Sequence, residues 1–123
     1  MTEQQKLNGT GISRLKRAIT CSSAGMSAAF RNEEAFRQEV LLCLVLLPLA
    51  CWLGADNVER ALLAGSVLLV LIVELINTAV EVVVNRISID RHELSGLAKD
   101  LGSAAVTMAI LTTTVIWGLV LFT

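Results

Sequence analysis

Three long apolar runs leave this chain of 123 residues few ways to fold. They cover about 40–55, 61–84 and 103–122, and each approaches the roughly 20 residues a helix needs to cross a bilayer. Backbone polar groups find no water inside a membrane, so spanning runs of this kind must be helical. Hydrophobic residues make up 54% of the chain and the mean hydropathy is +0.69, too apolar for a water-soluble domain of this size. The expectation is an all-α integral membrane bundle with three transmembrane helices, a single domain over 1–123. Residues 1–11 read as disordered and 12–38 as surface helices. A three-helix bundle has little interior, so a site within one chain would be shallow, and an oligomer follows on general grounds.

The net charge of −1 excludes little; the placement of charge says more. Lys6, Arg14, Lys16, Arg17, Arg31 and Arg37 precede the first run, Arg60 lies in the first loop, Arg86, Arg91 and Lys99 lie about the second, and none follows the last. Basic segments mark the cytoplasmic side, which puts the N-terminus and second loop inside and the first loop and C-terminus outside. Ile12, Leu15 and Ile19 alternate with Arg14, Lys16 and Arg17 as a basic amphipathic helix that Ser13 can cap, suited to an anionic membrane face. The small polar stretch Thr20 to Gly25 reads as a break. Glu33 and Arg37 have the spacing of a helical ion pair. Pro48 interrupts the first span, Trp52 and Trp117 sit near outer ends, and Asp56 or Asn57 can cap the second span. Cys21, Cys43 and Cys51 have no metal or disulfide spacing and read as small packing residues. The first apolar run starts too late for a cleavable signal peptide.

The second run carries Val73-Glu74-Leu75-Ile76-Asn77-Thr78-Ala79-Val80-Glu81. Ionisable groups at membrane depth cost a few kcal/mol or more each and usually face a bundle interior or a watery cleft. Glu74, Asn77 and Glu81 fall at roughly 0°, 300° and 340° around a helix axis, a single polar stripe. With this run descending from outside, Glu81 lies near the cytoplasmic surface, level with Lys99, Arg91 and His92 and with Glu33 and Glu39. Glu74 is about 10 Å deeper. A hard cation such as Mg²⁺ takes carboxylate and phosphate oxygens together, and phosphoryl transfer needs a cationic side chain and a base as well. Glu81 with Glu33 can hold the metal, Lys99 can touch phosphate, and Glu74 can deprotonate a lipid hydroxyl. No Walker A, protein-kinase or Rossmann pattern is present. A cation-coupled transporter would use a membrane Glu equally well, and Glu74 with Asn77 can simply bond helices together. Residue chemistry alone leaves these three readings level.

The chain resembles the prokaryotic diacylglycerol kinase family, small three-span membrane kinases, over nearly its whole length beyond the first dozen residues. Four segments carry the resemblance: Glu34-Ala35-Phe36-Arg37-Gln38-Glu39, the stripe from Val73 to Glu81, His92-Glu93-Leu94-Ser95-Gly96, and Ala98-Lys99-Asp100-Leu101-Gly102-Ser103-Ala104-Ala105. The resemblance implies Mg²⁺-dependent transfer of the ATP γ-phosphate to diacylglycerol, giving phosphatidic acid, by a homotrimer whose neighbouring subunits share sites in the bacterial inner membrane, C-terminus periplasmic. It implies Glu74 as catalytic base, Glu33 and Glu81 on the metal, and Asn77 supporting the site beside Glu74. It also implies Arg14, Asp90, His92, Lys99 and Asp100 on the nucleotide, and Glu39 and Ser103 on the lipid side. Asn85 stands where the family commonly has aspartate, Cys21 where an aromatic residue is frequent, and Leu97 where a basic residue is frequent. Related small kinases phosphorylate undecaprenol; the E-A-F-R-Q-E segment and the lack of a long C-terminal extension favour diacylglycerol. A transporter is the alternative from a different class.

Overall fold

The computed structural model describes residues 9–87, 90 and 92–123. Residues 1–8 of the expected disordered segment, and Arg91 beside the expected nucleotide residues, lie outside the described residues. Four helices account for the secondary structure there: α1 (Gly11–Asn32), α2 (Glu34–Leu53), α3 (Asn57–Ile87) and α4 (Glu93–Phe122). Contacts divide the chain into two units, residues 1–34 and 35–123. By length and composition α2, α3 and α4 can each cross a membrane.

The first unit holds one helix, α1, on which Ile12, Leu15 and Ile19 are all exposed. Two expectations fail within it. The helix begins at Gly11 after Thr10, ahead of Ser13, and Thr10 makes no side-chain capping bond. Gly11 itself has a φ of 59°, a conformation glycine adopts without a Cβ penalty. The helix also passes unbroken through Thr20–Gly25, because small polar side chains can be satisfied inside a helix: Thr20 Oγ1 donates to the Lys16 carbonyl at 3.0 Å. α1 ends where Glu33 turns extended (φ −114°, ψ 110°), its N–H still bonded to the Ala29 carbonyl at 2.9 Å. Glu33 and Arg37 therefore do not lie on one continuous helix.

In the second unit the helices outrun the apolar runs. Residues 34–38 are not a separate surface helix but the opening of α2, with Glu34 in a first turn that favours negative charge. Pro48 is contained within α2, which closes at Leu53. The turn to α3 is built by side chains. Asp56 Oδ1 accepts the Glu59 N–H at 2.8 Å and Glu59 Oε1 accepts the Ala55 N–H at 3.4 Å, close to a capping box. Arg60 donates to the Cys51 carbonyl at 3.1 Å and to Asn57 Oδ1 at 3.0 Å. A Cβ on Gly54 would stand 3.0 Å from the Arg60 nitrogen and 3.1 Å from the Ala50 carbonyl, so the turn needs glycine there.

The principal helix pair is α3 with α4. Its antiparallel register is fixed by three contacts. Trp117 Nε1 donates to the Leu63 carbonyl at 3.1 Å, and Thr113 Oγ1 donates to the Ser66 carbonyl at 2.9 Å. Farther along, Asn77 packs against Gly102. The buried residues of α3 are Leu63, Ser66, Val67, Glu74, Asn77 and Val84, a single helical face. Among the cysteines only Cys43 packs inside; Cys21 and Cys51 are exposed, contrary to the packing role expected of all three.

Candidate active site

The polar stripe lies on the buried face of α3. Leu63, Ser66 and Val67 occupy that face near one end, and the same 3.6-residue repeat brings Glu74 and Asn77 onto it. Glu74 is 6% exposed and Asn77 9%, as expected of ionisable and polar groups that avoid lipid by turning to the bundle interior. Glu81, two turns on, is half-buried. Asn77 Nδ2 donates to Glu81 Oε1 at 3.5 Å, so the carboxamide supports Glu81. Residues four apart on a helix stand one above the other, which brings the Asn77 amide to Glu81, and Asn77 shares the buried face of α3 with Glu74.

Glu39 comes from α2. Its carboxylate is close enough to Glu74 on α3 for the two charges to interact. Its Oε2 is buried with no hydrogen-bond partner among the described residues. Glu39 also lines a cavity of about 260 Å³ between α2, α3 and α4, together with Leu42, Cys43, Leu46, Thr113 and Thr114. The second unit thus holds two neighbouring carboxylates at membrane depth, one of them facing an otherwise largely apolar cavity.

Glu81, His92, Lys99, Asp100 and Ser103 belong to the end of the α3–α4 pair where α3 finishes at Ile87 and α4 begins at Glu93. Continuing the register from the Asn77–Gly102 contact brings Glu81 level with Ala98 and Lys99. Lys99, Asp100 and Ser103 are exposed. Helix α4 begins at Glu93, ahead of the apolar run, with Glu93 in its first turn and Asp100 two turns into it. His92 caps that start, its Nδ1 accepting the Leu94 N–H at 3.1 Å. Asp90 is exposed. Arg14 and Glu33 belong to the first unit.

Among the described residues no three His, Cys, Asp or Glu side chains gather as a metal cage. That donor set suits Mg²⁺ all the same, since this ion usually binds through one or two carboxylates, several waters and the phosphates of its ligand. The Asn77 bond occupies one oxygen of Glu81, and a carboxylate has two. Sequence reasoning missed two features: Gly102, against which Asn77 packs, and the Thr113–Trp117 pair that ties α4 to the α3 backbone. A glycine inside an otherwise good helix was the available signal for the first.

Residues 20–121 match the family model described as prokaryotic diacylglycerol kinase. The diacylglycerol kinase of Escherichia coli (strain K12) is 49% identical over 115 residues, 94% of each chain. That of Pseudomonas aeruginosa is 51% identical over 112 residues, 91% of each. The Helicobacter pylori (strain 26695) diacylglycerol kinase is 39% identical over 108 residues, 88% of this chain and 84% of its own.

Proposed function

Since this chain belongs to the prokaryotic diacylglycerol kinase family, we propose that it transfers the γ-phosphate of ATP to the free hydroxyl of diacylglycerol, giving phosphatidic acid. It is a lipid kinase and a multi-pass bacterial membrane protein. The observation that carries the detailed reading is the depth of Glu74: a carboxylate 6% exposed within a 31-residue apolar helix, beside Glu39. A membrane-borne hydroxyl can reach that depth, and a water-borne nucleotide can reach the Ile87 end of the same helix.

In this mechanism Glu74 takes the proton of the attacking lipid hydroxyl. Glu39 and Ser103 orient the lipid side, with Asn77 between the two ends. Lys99 offers its ammonium to phosphate, and Arg14, Asp90, His92 and Asp100 complete the nucleotide contacts. Glu33 and Glu81 are the carboxylates that would hold Mg²⁺, which would supply charge neutralisation at the nucleotide phosphates. Burial of the reacting carboxylate also keeps water from competing with the lipid hydroxyl for phosphate.

The protein is further proposed to act as a homotrimer in the inner membrane, with N-terminus cytoplasmic and C-terminus periplasmic. Exposure of Lys99, Asp100 and Ser103 in the single chain supports sites shared between subunits. Purified protein in mixed micelles with labelled ATP, Mg²⁺ and either diacylglycerol or undecaprenol tests the reading. Label enters diacylglycerol; label in undecaprenol alone would change the substrate, and label in neither lipid would refute the kinase reading.

A further inference from the structure

Glycine is a poor helix residue because it loses the most backbone freedom on folding. Gly102 nevertheless lies inside α4, and what it faces gives a reason. A Cβ built there would overlap Asn77 Oδ1 and stand 3.2 Å from Asn77 Cγ; the next atom, Asn77 Cα, is at an ordinary 3.9 Å. Every close neighbour of that missing methyl therefore belongs to one side chain. Asn77 is 9% exposed, and its Oδ1 has no hydrogen-bond partner among the described residues.

The orientation of the carboxamide follows from chemistry. A carboxylate accepts and cannot donate, so only Nδ2 can face Glu81. Oδ1 must then turn toward α4, where one Cα hydrogen of Gly102 points at it, the arrangement of a weak C–H···O contact. We propose that Gly102 is a positioning residue for phosphoryl transfer: the space left by its missing side chain seats the Asn77 carboxamide so that Nδ2 holds Glu81 in the orientation that receives the metal–nucleotide complex. This rests on the proposed role of Glu81. A methyl at position 102 meets only the end of a side chain, which can rotate away. The fold survives that rotation and the Asn77–Glu81 link does not.

The test is a double-mutant cycle on the full-length protein: Gly102→Ala, Asn77→Ala and both together, with kcat, KM for MgATP and thermal midpoint measured for each. Gly102→Ala and Asn77→Ala each raise KM for MgATP about three- to tenfold, the range of one ordinary hydrogen bond, as suits a link of 3.5 Å, with a smaller change in kcat and little change in midpoint. The double variant is no worse than Asn77→Ala, because the group the methyl strikes is gone. A wild-type KM in Gly102→Ala, or a double variant whose defect is the product of the two single defects, overturns the proposal. If Gly102→Ala does not fold, adding Asn77→Ala restores folding, and failure to restore it is equally fatal. Should the wild-type protein transfer no phosphate at all, the kinase reading falls separately. The Asn77 side-chain amide resonance then decides the geometry: in Gly102→Ala it moves to its position in Glu81→Ala, and an unmoved resonance rules the seat out.

Discussion

Replacing Glu74 by glutamine asks which of two adjacent carboxylates removes the proton. The change is isosteric, and the site is 6% exposed, so packing is kept. The cost to stability is that of a buried amide in place of a buried acid, of order 1 kcal/mol, offset by relief of repulsion from Glu39. The effect on chemistry is larger. General-base catalysis contributes about 10²- to 10⁴-fold, equivalent to roughly 2.7–5.4 kcal/mol of barrier at 1.36 kcal/mol per tenfold. Glu74→Gln therefore loses about that factor in kcat while its thermal midpoint stays near wild type. MgATP binding changes little, because Glu81 lies seven residues away on the helix, about 10 Å. Glu39→Gln is the necessary partner experiment, since Glu39 rather than Glu74 lines the cavity. If Glu39 only orients the lipid, its variant raises KM for diacylglycerol more than it lowers kcat. The assay is phosphate transfer to short-chain diacylglycerol, with nucleotide binding followed by calorimetry. Near-normal turnover in Glu74→Gln, with kcat collapsing in Glu39→Gln, would refute the assignment and give the base to α2.

Two further outcomes follow from the geometry. Glu81→Gln weakens MgATP binding and raises its KM, while kcat at saturating MgATP falls by less than in Glu74→Gln; a tighter complex, or an unchanged KM, would remove Glu81 from the metal. The paired change Thr113→Val and Trp117→Phe removes both hydrogen bonds from α4 to the α3 backbone, at about 0.6 to 1.7 kcal/mol each in a membrane protein. Its unfolding midpoint in mixed detergent drops accordingly while KM for MgATP holds, and a wild-type midpoint would show that the two bonds contribute nothing.

Much of the fold was legible because a bilayer leaves an apolar run little choice but helix. The stripe was legible too: 3.6-residue periodicity groups Glu74, Asn77 and Glu81, and the cost of charge in lipid turns the group inward. Hydropathy misjudged the helix ends, since it registers where lipid is tolerated and not where backbone bonds stop. α4 starts at Glu93 because His92 caps it, a bond with no apolar signature. The order of residues along α2 and along α3 is written in the sequence, but the offset between the two helices is set by packing.

That offset also separates stability from chemistry along the α3–α4 pair. Trp117 and Thr113 bond to the backbone carbonyls of Leu63 and Ser66, both near the start of α3. Sequence position alone sets Trp117 near the outer end of its span, and a threonine inside a helix ordinarily bonds back to its own preceding turn. Thr112 and Thr114 do bond back to Met108 and Ile110, but Thr113 shares its hydroxyl between Ala109 and Ser66. At Asn77 the pair meets through a glycine, with no hydrogen bond across. The helices are thus tied by hydrogen bonds near the start of α3 and meet by close packing where Asn77 leads toward Glu81. A side chain that only has to hold the pair together belongs at the first end. One that must present a carboxylate to a charged ligand needs a neighbour that makes no competing bond, and glycine meets that requirement.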